Sequence, residues 1–199
     1  MSIYEKVLGD KFNKLHPMLQ KRYELMGERA IVGKGVMYTI QGGTRLLNPI
    51  MKLGTKRKLL FPEKGEQIPF MIKNTPRENG QQIHWERAFE FERLRYFNAL
   101  MSYDSRRQVI KDYLGEPPIV YSDLIFQVSN GELIITSSKQ RLILGKIELP
   151  LPKWLQGQAR VKERFNDELN KFEISVEVTN SLIGQIFAYE GEFTSEDLT

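Results

Sequence analysis

The chain has no cysteine among its 199 residues and only two histidines, His16 and His84. The first absence excludes disulfides, thiolate nucleophiles and Cys-ligated zinc, without fixing the compartment. The second excludes a multi-histidine metal site. No apolar run approaches the roughly 20 residues needed to cross a bilayer as a helix. Met1 to Tyr23 alternates charged and apolar residues and lacks the apolar core and small-residue cleavage site of a secretion signal, so a cytoplasmic location is expected. A large excess of one charge is also missing. The 29 basic residues face 25 acidic ones, for a net charge of +4, and nucleic acid is not an expected partner. Neither histidine has a serine or aspartate at a spacing that suggests a triad, and no G-x-S-x-G elbow occurs. Gly33-Lys34-Gly35 lacks the third glycine of a dinucleotide fingerprint, and Gly42-Gly43-Thr44-Arg45 lacks the Walker lysine. No catalytic residue, metal or cofactor is assigned.

What is present is alternation. From Trp85 to Phe193, apolar and polar residues follow each other with period two between turn signals, as in strands with one buried and one wet face. Strands are expected near 81–93, 95–103, 107–113, 119–128, 132–138, 141–149, 157–165, 171–178 and 183–193. They follow a first strand around Val36, Tyr38 and Ile40 and a second around Ile68, Phe70 and Ile72. Ahead of them Ile3, Val7, Phe12, Leu15, Leu19 and Tyr23 recur at helical spacing, which predicts two or three short helices before Gly27. Thr44 is read as the cap of a further helix carrying Leu46, Leu47, Ile50 and Met51 and ending at Gly54. A meander of about ten strands exceeds what a strongly twisted open sheet usually carries. The expected fold is therefore mainly β: a single domain, 1–199, with a helical segment at 1–26 and a calycin-like antiparallel barrel at 33–193, wide enough to hold a cavity.

Two charges break the pattern. Arg87 shares the apolar face of its strand with Trp85, Phe89 and Phe91, and Glu163 shares one with Val161 and Phe165. Buried charges demand partners, so these two either pair with each other or meet a ligand head group. In the second case Arg87 anchors a carboxylate or phosphate through its planar fork, and Trp85, Phe89, Phe91, Phe126, Phe187 and Tyr189 line the cavity. In the first, the same aromatics are core. His16, between Leu15 and Pro17, reads as a capping or packing residue. The acidic residues of the strands alternate outward and need only solvent. Lys52, Lys56, Arg57 and Lys58, beside Leu59, Leu60 and Phe61, suit contact with an anionic membrane surface or a partner protein, or else form a solvated loop.

Leu15-His16-Pro17 with Gln20 and Arg22-Tyr23, then Gly33-x-Gly35, Trp85-x-Arg87-x-Phe89 and Tyr189-x-Gly191, together resemble a bacterial domain-of-unknown-function family, number 4166. Its members occur alone, in YndJ-like proteins of bacilli, or appended to saccharopine-dehydrogenase-like proteins. The resemblance implies a whole domain that works beside other modules and singles out His16, Pro17 and Arg87; it carries no activity to transfer. The expected function is binding of a small amphipathic or apolar, lipid-like ligand in the barrel. The alternatives are a ligand-free interaction domain, or a small isomerase or cyclase using Arg87, Glu163 and Tyr189.

Overall fold

The alternating runs become twelve antiparallel strands in a computed structural model that describes every residue except Met26, Glu28, 44–46 and 196–199, and the side chain of Ile50. Among the described residues there are three α-helices: α1 (Ile3–Leu8), α2 (Pro17–Tyr23) and α3 (Asn48–Lys56). The strands are β1 (Ile31–Gly42), β2 (Gly65–Arg77), β3 (Gln82–Glu90), β4 (Leu94–Tyr96), β5 (Ala99–Asp104), β6 (Val109–Gly115), β7 (Pro118–Ser129), β8 (Glu132–Leu144), β9 (Ile147–Pro150), β10 (Gln158–Asn166), β11 (Lys171–Asn180) and β12 (Gly184–Thr194). Neighbours in sequence pair in space, β12 returns to β1, and β10 pairs with β8 as well as β11, which closes a barrel of ten strands. Strands β4 and β9 lie outside the ring, paired with β3 and β8. Closure removes the exposed edges that so many strands would otherwise leave.

One difference from the sequence reading locates the site. The segments expected as separate strands at 132–138 and 141–149 are one long strand, β8, followed by the short β9. The polar stretch from Ser137 to Gln140 looks like a turn but fastens the wall. The Gln140 side chain accepts from the Gly157 N–H at 2.9 Å and donates to the Gly157 carbonyl at 2.6 Å, and Ser137 Oγ accepts from Ala159 N–H at 2.7 Å. The first part of β8 pairs with β10 and the last part with β9. Helix α3 runs two residues past Gly54, to Lys56. The Thr44 cap and Leu46 lie outside the described residues.

The N-terminal helices plug one end of the barrel. A Ser2–Glu5 capping box starts α1, and a turn of 3-10 helix at Gly9–Lys14 links it to α2, whose N-cap is His16. Ile3, Tyr4, Leu8, Phe12, Leu15, Leu19 and Tyr23 are all buried. At the seam between β1 and β12 the chains approach so closely that a Cβ on Gly35 would lie 1.9 Å from the Glu192 carbonyl oxygen, and one on Gly191 2.1 Å from that of Val36. The glycines of those two motifs are there for room.

The plug is bolted to the wall by charge. Arg22 Nε donates to Glu163 Oε1 at 2.6 Å, Tyr23 O–H donates to Glu163 Oε2 at 2.9 Å, and Arg22 Nη2 donates to Asn74 Oδ1 at 3.0 Å. Arg22 and Glu163 are 1% and 0% exposed, and the Arg22 guanidinium lies 4.8 Å from the Phe193 ring centroid. Burial alone would lower the Arg22 pKa, but the Glu163 carboxylate more than offsets it, so the guanidinium stays charged. Removing one partner of such a pair strands the other charge. Glu163→Ala should therefore cost about 3–5 kcal/mol in urea unfolding, and adding Arg22→Met should recover much of that loss. An additive double variant would contradict the assignment.

Candidate functional site

The aromatic residues expected to line a cavity instead fill the barrel. Phe61, carried in after α3 and fully buried, packs 5.1 Å from Phe89 and 4.9 Å from Phe187, with Phe91 and Tyr189 completing the group. Trp85 and Phe126 pack against the plug, and Trp85 Nε1 donates to the Tyr4 hydroxyl at 2.6 Å. These residues occupy the plugged end and the flank of the interior. The end away from the plug is not filled.

There the barrel holds a cavity of about 490 Å³, within the roughly 300–1,000 Å³ typical of small-molecule sites. Its walls are aliphatic: Leu114, Val120, Leu124, Ala159, Val178 and Ile186 come from the strands, with Met51 of α3 and Leu59 and Leu60 after it across the top. Trp154 and Leu155, and Leu182 and Ile183, tied together through the Asn180 side chain, also border it. None of Arg87, Glu163, Trp85, Phe89, Phe91, Phe126, Phe187 and Tyr189 lines it. The sequence placed the cavity among the largest apolar side chains, yet those are the residues that fill space, and the void lies where small and aliphatic ones face inward.

Five polar side chains reach this cavity. Three of them are spent on the wall: Ser137 and Gln140 as described, and Asn180, whose Nδ2 donates to the Trp154 and Gln156 carbonyls and whose Oδ1 accepts from Leu182 and Ile183 N–H. The other two, Asp112 and Ser122, are directly opposed across β6 and β7. Each is buried, and Asp112 Oδ1 and Ser122 Oγ have no hydrogen-bond partner. Side chains opposed in this way on one face have Cβ atoms roughly 4.5–5.5 Å apart, so the two groups form one polar spot in an apolar chamber. Burial pushes the Asp112 carboxyl up to about 7, with Arg87 pulling in the opposite direction. The sequence signal for Asp112 was available, since it sits between Ile110 and Leu114 as Arg87 sits between Trp85 and Phe89. Val109 and Tyr113 on the other face blurred it.

Arg87 and Glu163 do not pair, because both Glu163 oxygens are taken by Arg22 and Tyr23. Arg87 instead donates from Nε to the Phe97 carbonyl at 2.7 Å and lies 3.9 Å over the Phe97 ring. It borders a separate void of about 40 Å³ that shares Asp112 with the main cavity. Tyr189, whose hydroxyl lacks a hydrogen bond of good geometry, is raised in pKa by burial, with Arg87 opposing. His16 Nδ1 accepts from Met18 N–H at 3.2 Å, its Nε2 lies 3.3 Å from Asp167, and its ring stacks on Phe165, with Pro17 opening α2. His16 is thus a cap. In the basic segment, Lys58 is held by Glu116 at 2.6 Å, and the main chain of Arg57 and Lys58 accepts from Glu116 and Asn98 N–H, which ties α3 to the barrel. Burial raises the Glu116 pKa, but Lys58, Asn98 and His84 together bring it down to about 2. Lys52, Lys56 and Arg57 extend their side chains into solvent.

Comparison with known proteins places these features in a family. The model described as Domain of unknown function (DUF4166) matches residues 15–193. The chain belongs to DUF4166. A relative, described as uncharacterized protein YndH of Bacillus subtilis (strain 168), is 41% identical over 201 residues, covering 98% of each chain. The DUF4166 match takes in the His16 cap, the Arg22–Glu163 bolt, the closed barrel and every residue that lines the cavity, and it begins after α1.

The raised Asp112 pKa has a consequence for stability. In the unfolded chain this carboxyl titrates near its ordinary value of 3.8, whereas in the fold it titrates near 7. The protonated form is thus favoured by folding. The stabilisation is complete below the unfolded value and is lost as pH rises through the folded one. Relative to Asp112→Asn, the wild type should lose stability between these two values, by on the order of a few kcal/mol, as read from urea unfolding across that range. A pH-independent difference would show that Asp112 does not titrate there.

Proposed function

We propose that this barrel binds a small amphipathic or lipid-like molecule, with its apolar body in the 490 Å³ cavity and its polar end at Asp112 and Ser122. One observation carries this reading: an aliphatic chamber in which, among the described residues, Asp112 Oδ1 and Ser122 Oγ are the buried side-chain polar atoms without a hydrogen-bond partner, side by side. Leaving a buried polar group unpaired costs about 1–3 kcal/mol, a cost that a ligand supplying both bonds would remove. A calycin-like layout suits the role, with α3 as a lid over the open end and the N-terminal plug sealing the other. The polar anchor differs from the one expected from sequence, since Arg87 is committed to Phe97. Native mass spectrometry after gentle purification, followed by solvent extraction, should detect a retained molecule or uptake of an added medium-chain amphiphile. Ala159→Phe, which directs a ring into the chamber, should abolish both. Equal uptake by this variant would argue against the cavity as the site.

A second reading is favoured by the rim. Trp154 and Leu182, 56% and 71% exposed, border the cavity with Leu155 and Ile183, and Lys52 and Lys56 of α3, Arg57 after it and Lys153 next to Trp154 in the chain are exposed. The acidic side chains of the adjoining segments are already paired: Glu63 with Arg95, Glu116 with Lys58 and Glu148 with Arg141. Exposed aromatic and aliphatic tips combined with exposed cations on the segments that line the cavity fit an anionic bilayer surface. The open end of the barrel would then face the membrane from which an apolar ligand comes. The protein should co-sediment with phosphatidylglycerol vesicles in low salt and not with phosphatidylcholine vesicles, and Trp154→Ala with Leu182→Ser should weaken the association. Failure to bind either vesicle would eliminate this reading and leave the cavity proposal untouched.

A further inference from the structure

We infer that the polar spot of the cavity selects a neutral hydroxyl head group, as in a long-chain or polycyclic alcohol, over a carboxylate or an amine. The inference rests on the cavity-binding reading and deepens it by naming the chemistry of the ligand's polar end. Asp112 Oδ1 is a free acceptor, and Ser122 Oγ can donate as well as accept. A single hydroxyl placed between them satisfies both, donating to Asp112 and accepting from Ser122, whereas Ser137, Gln140 and Asn180 already hold backbone groups of the wall.

Charge decides against the alternatives. The groups that act on Asp112 from neighbouring elements are Arg87 of β3, which borders the same small void, and Tyr4 of α1, so the local balance is one cation against one carboxyl. A ligand carboxylate would place a second acid beside Asp112. The cation that should neutralise it has its Nε on the Phe97 carbonyl and its face against the Phe97 ring, and does not border the main cavity. An ammonium would enter the field of the same arginine. In a chamber with aliphatic walls, either unbalanced charge is costly, whereas a hydroxyl adds none. The fatty-acid head group suggested by an inward-facing arginine is therefore the disfavoured one.

The discriminating experiment is calorimetric titration of the full chain with dodecanol, dodecanoate, dodecylamine and dodecane, at concentrations below micelle formation. Dodecanol should bind about tenfold more tightly than the other three, the size expected for well-made hydrogen bonds at a buried site. Its advantage over dodecane should collapse toward unity in Asp112→Leu. A buried unpaired carboxyl can be replaced by an apolar residue of similar volume without loss of fold. Should that variant misfold, Ser122→Ala provides the same measurement, with a partial loss expected. Dodecanoate or dodecylamine binding as tightly as dodecanol, or an alcohol preference that survives both substitutions, would overturn the head-group assignment while leaving the cavity reading intact. Binding of none of the four would overturn both.

Discussion

The buried ion pair between Arg22 and Glu163 is the constraint on which the rest of the structure depends. It joins α2 of the plug to the strand that closes the barrel, since Glu163 lies on β10 opposite Leu133 of β8. Two ions removed from water in this way are stable only with their hydrogen bonds satisfied. Tyr23 and Asn74 supply bonds to the carboxylate and to Arg22 Nη2, while Arg22 Nη1 has no hydrogen-bond partner and the guanidinium is flanked by Phe172 and Phe193. The pair thereby specifies one docking of the plug and one register of closure, where apolar packing alone would tolerate neighbouring solutions.

A plug at one end only leaves the other end open, and from that asymmetry the cavity follows. Ten strands enclose more volume than their inward side chains can fill. The aromatic group around Phe61 takes up one flank, the helices take up the floor, and the remainder is the aliphatic chamber under α3. Its polar lining divides cleanly. Ser137, Gln140 and Asn180 hold the wall where β8 leaves β10 and where β11 turns into β12, while Asp112 and Ser122 hold nothing. The wall-fastening polar groups tie neighbouring strands and loops together, and the two unspent ones give the proposed ligand a place to be recognised.

Much of the fold was legible because its signals are local. Period-two alternation marked the strands, Asn130-Gly131 and Asn180-Ser181 marked turns, and the helical spacing of Ile3 to Tyr23 marked the plug. The anomaly of a charge on an apolar face correctly flagged Glu163 and Arg87 as buried. It could not assign their partners, because Arg22 lies 141 positions from Glu163 and looks like an ordinary charge on a short helix. Ser137 and Gln140 misled for a related reason: polar residues that fasten a strand to its neighbour's backbone are indistinguishable, by type, from those that make a turn.

The sequence by itself determined the class of fold, the succession of its strands, and that Arg87 and Glu163 would have to leave water, since each follows from periodicity and residue chemistry along one stretch of chain. Only the tertiary structure decided which charges meet and where space is left over. Arg22 rather than Arg87 answers Glu163, and Asp112 with Ser122 rather than the aromatic residues marks the candidate site. Partnership and emptiness belong to no single segment. They arise from closure of the sheet, when residues far apart in sequence compete for the same interior volume.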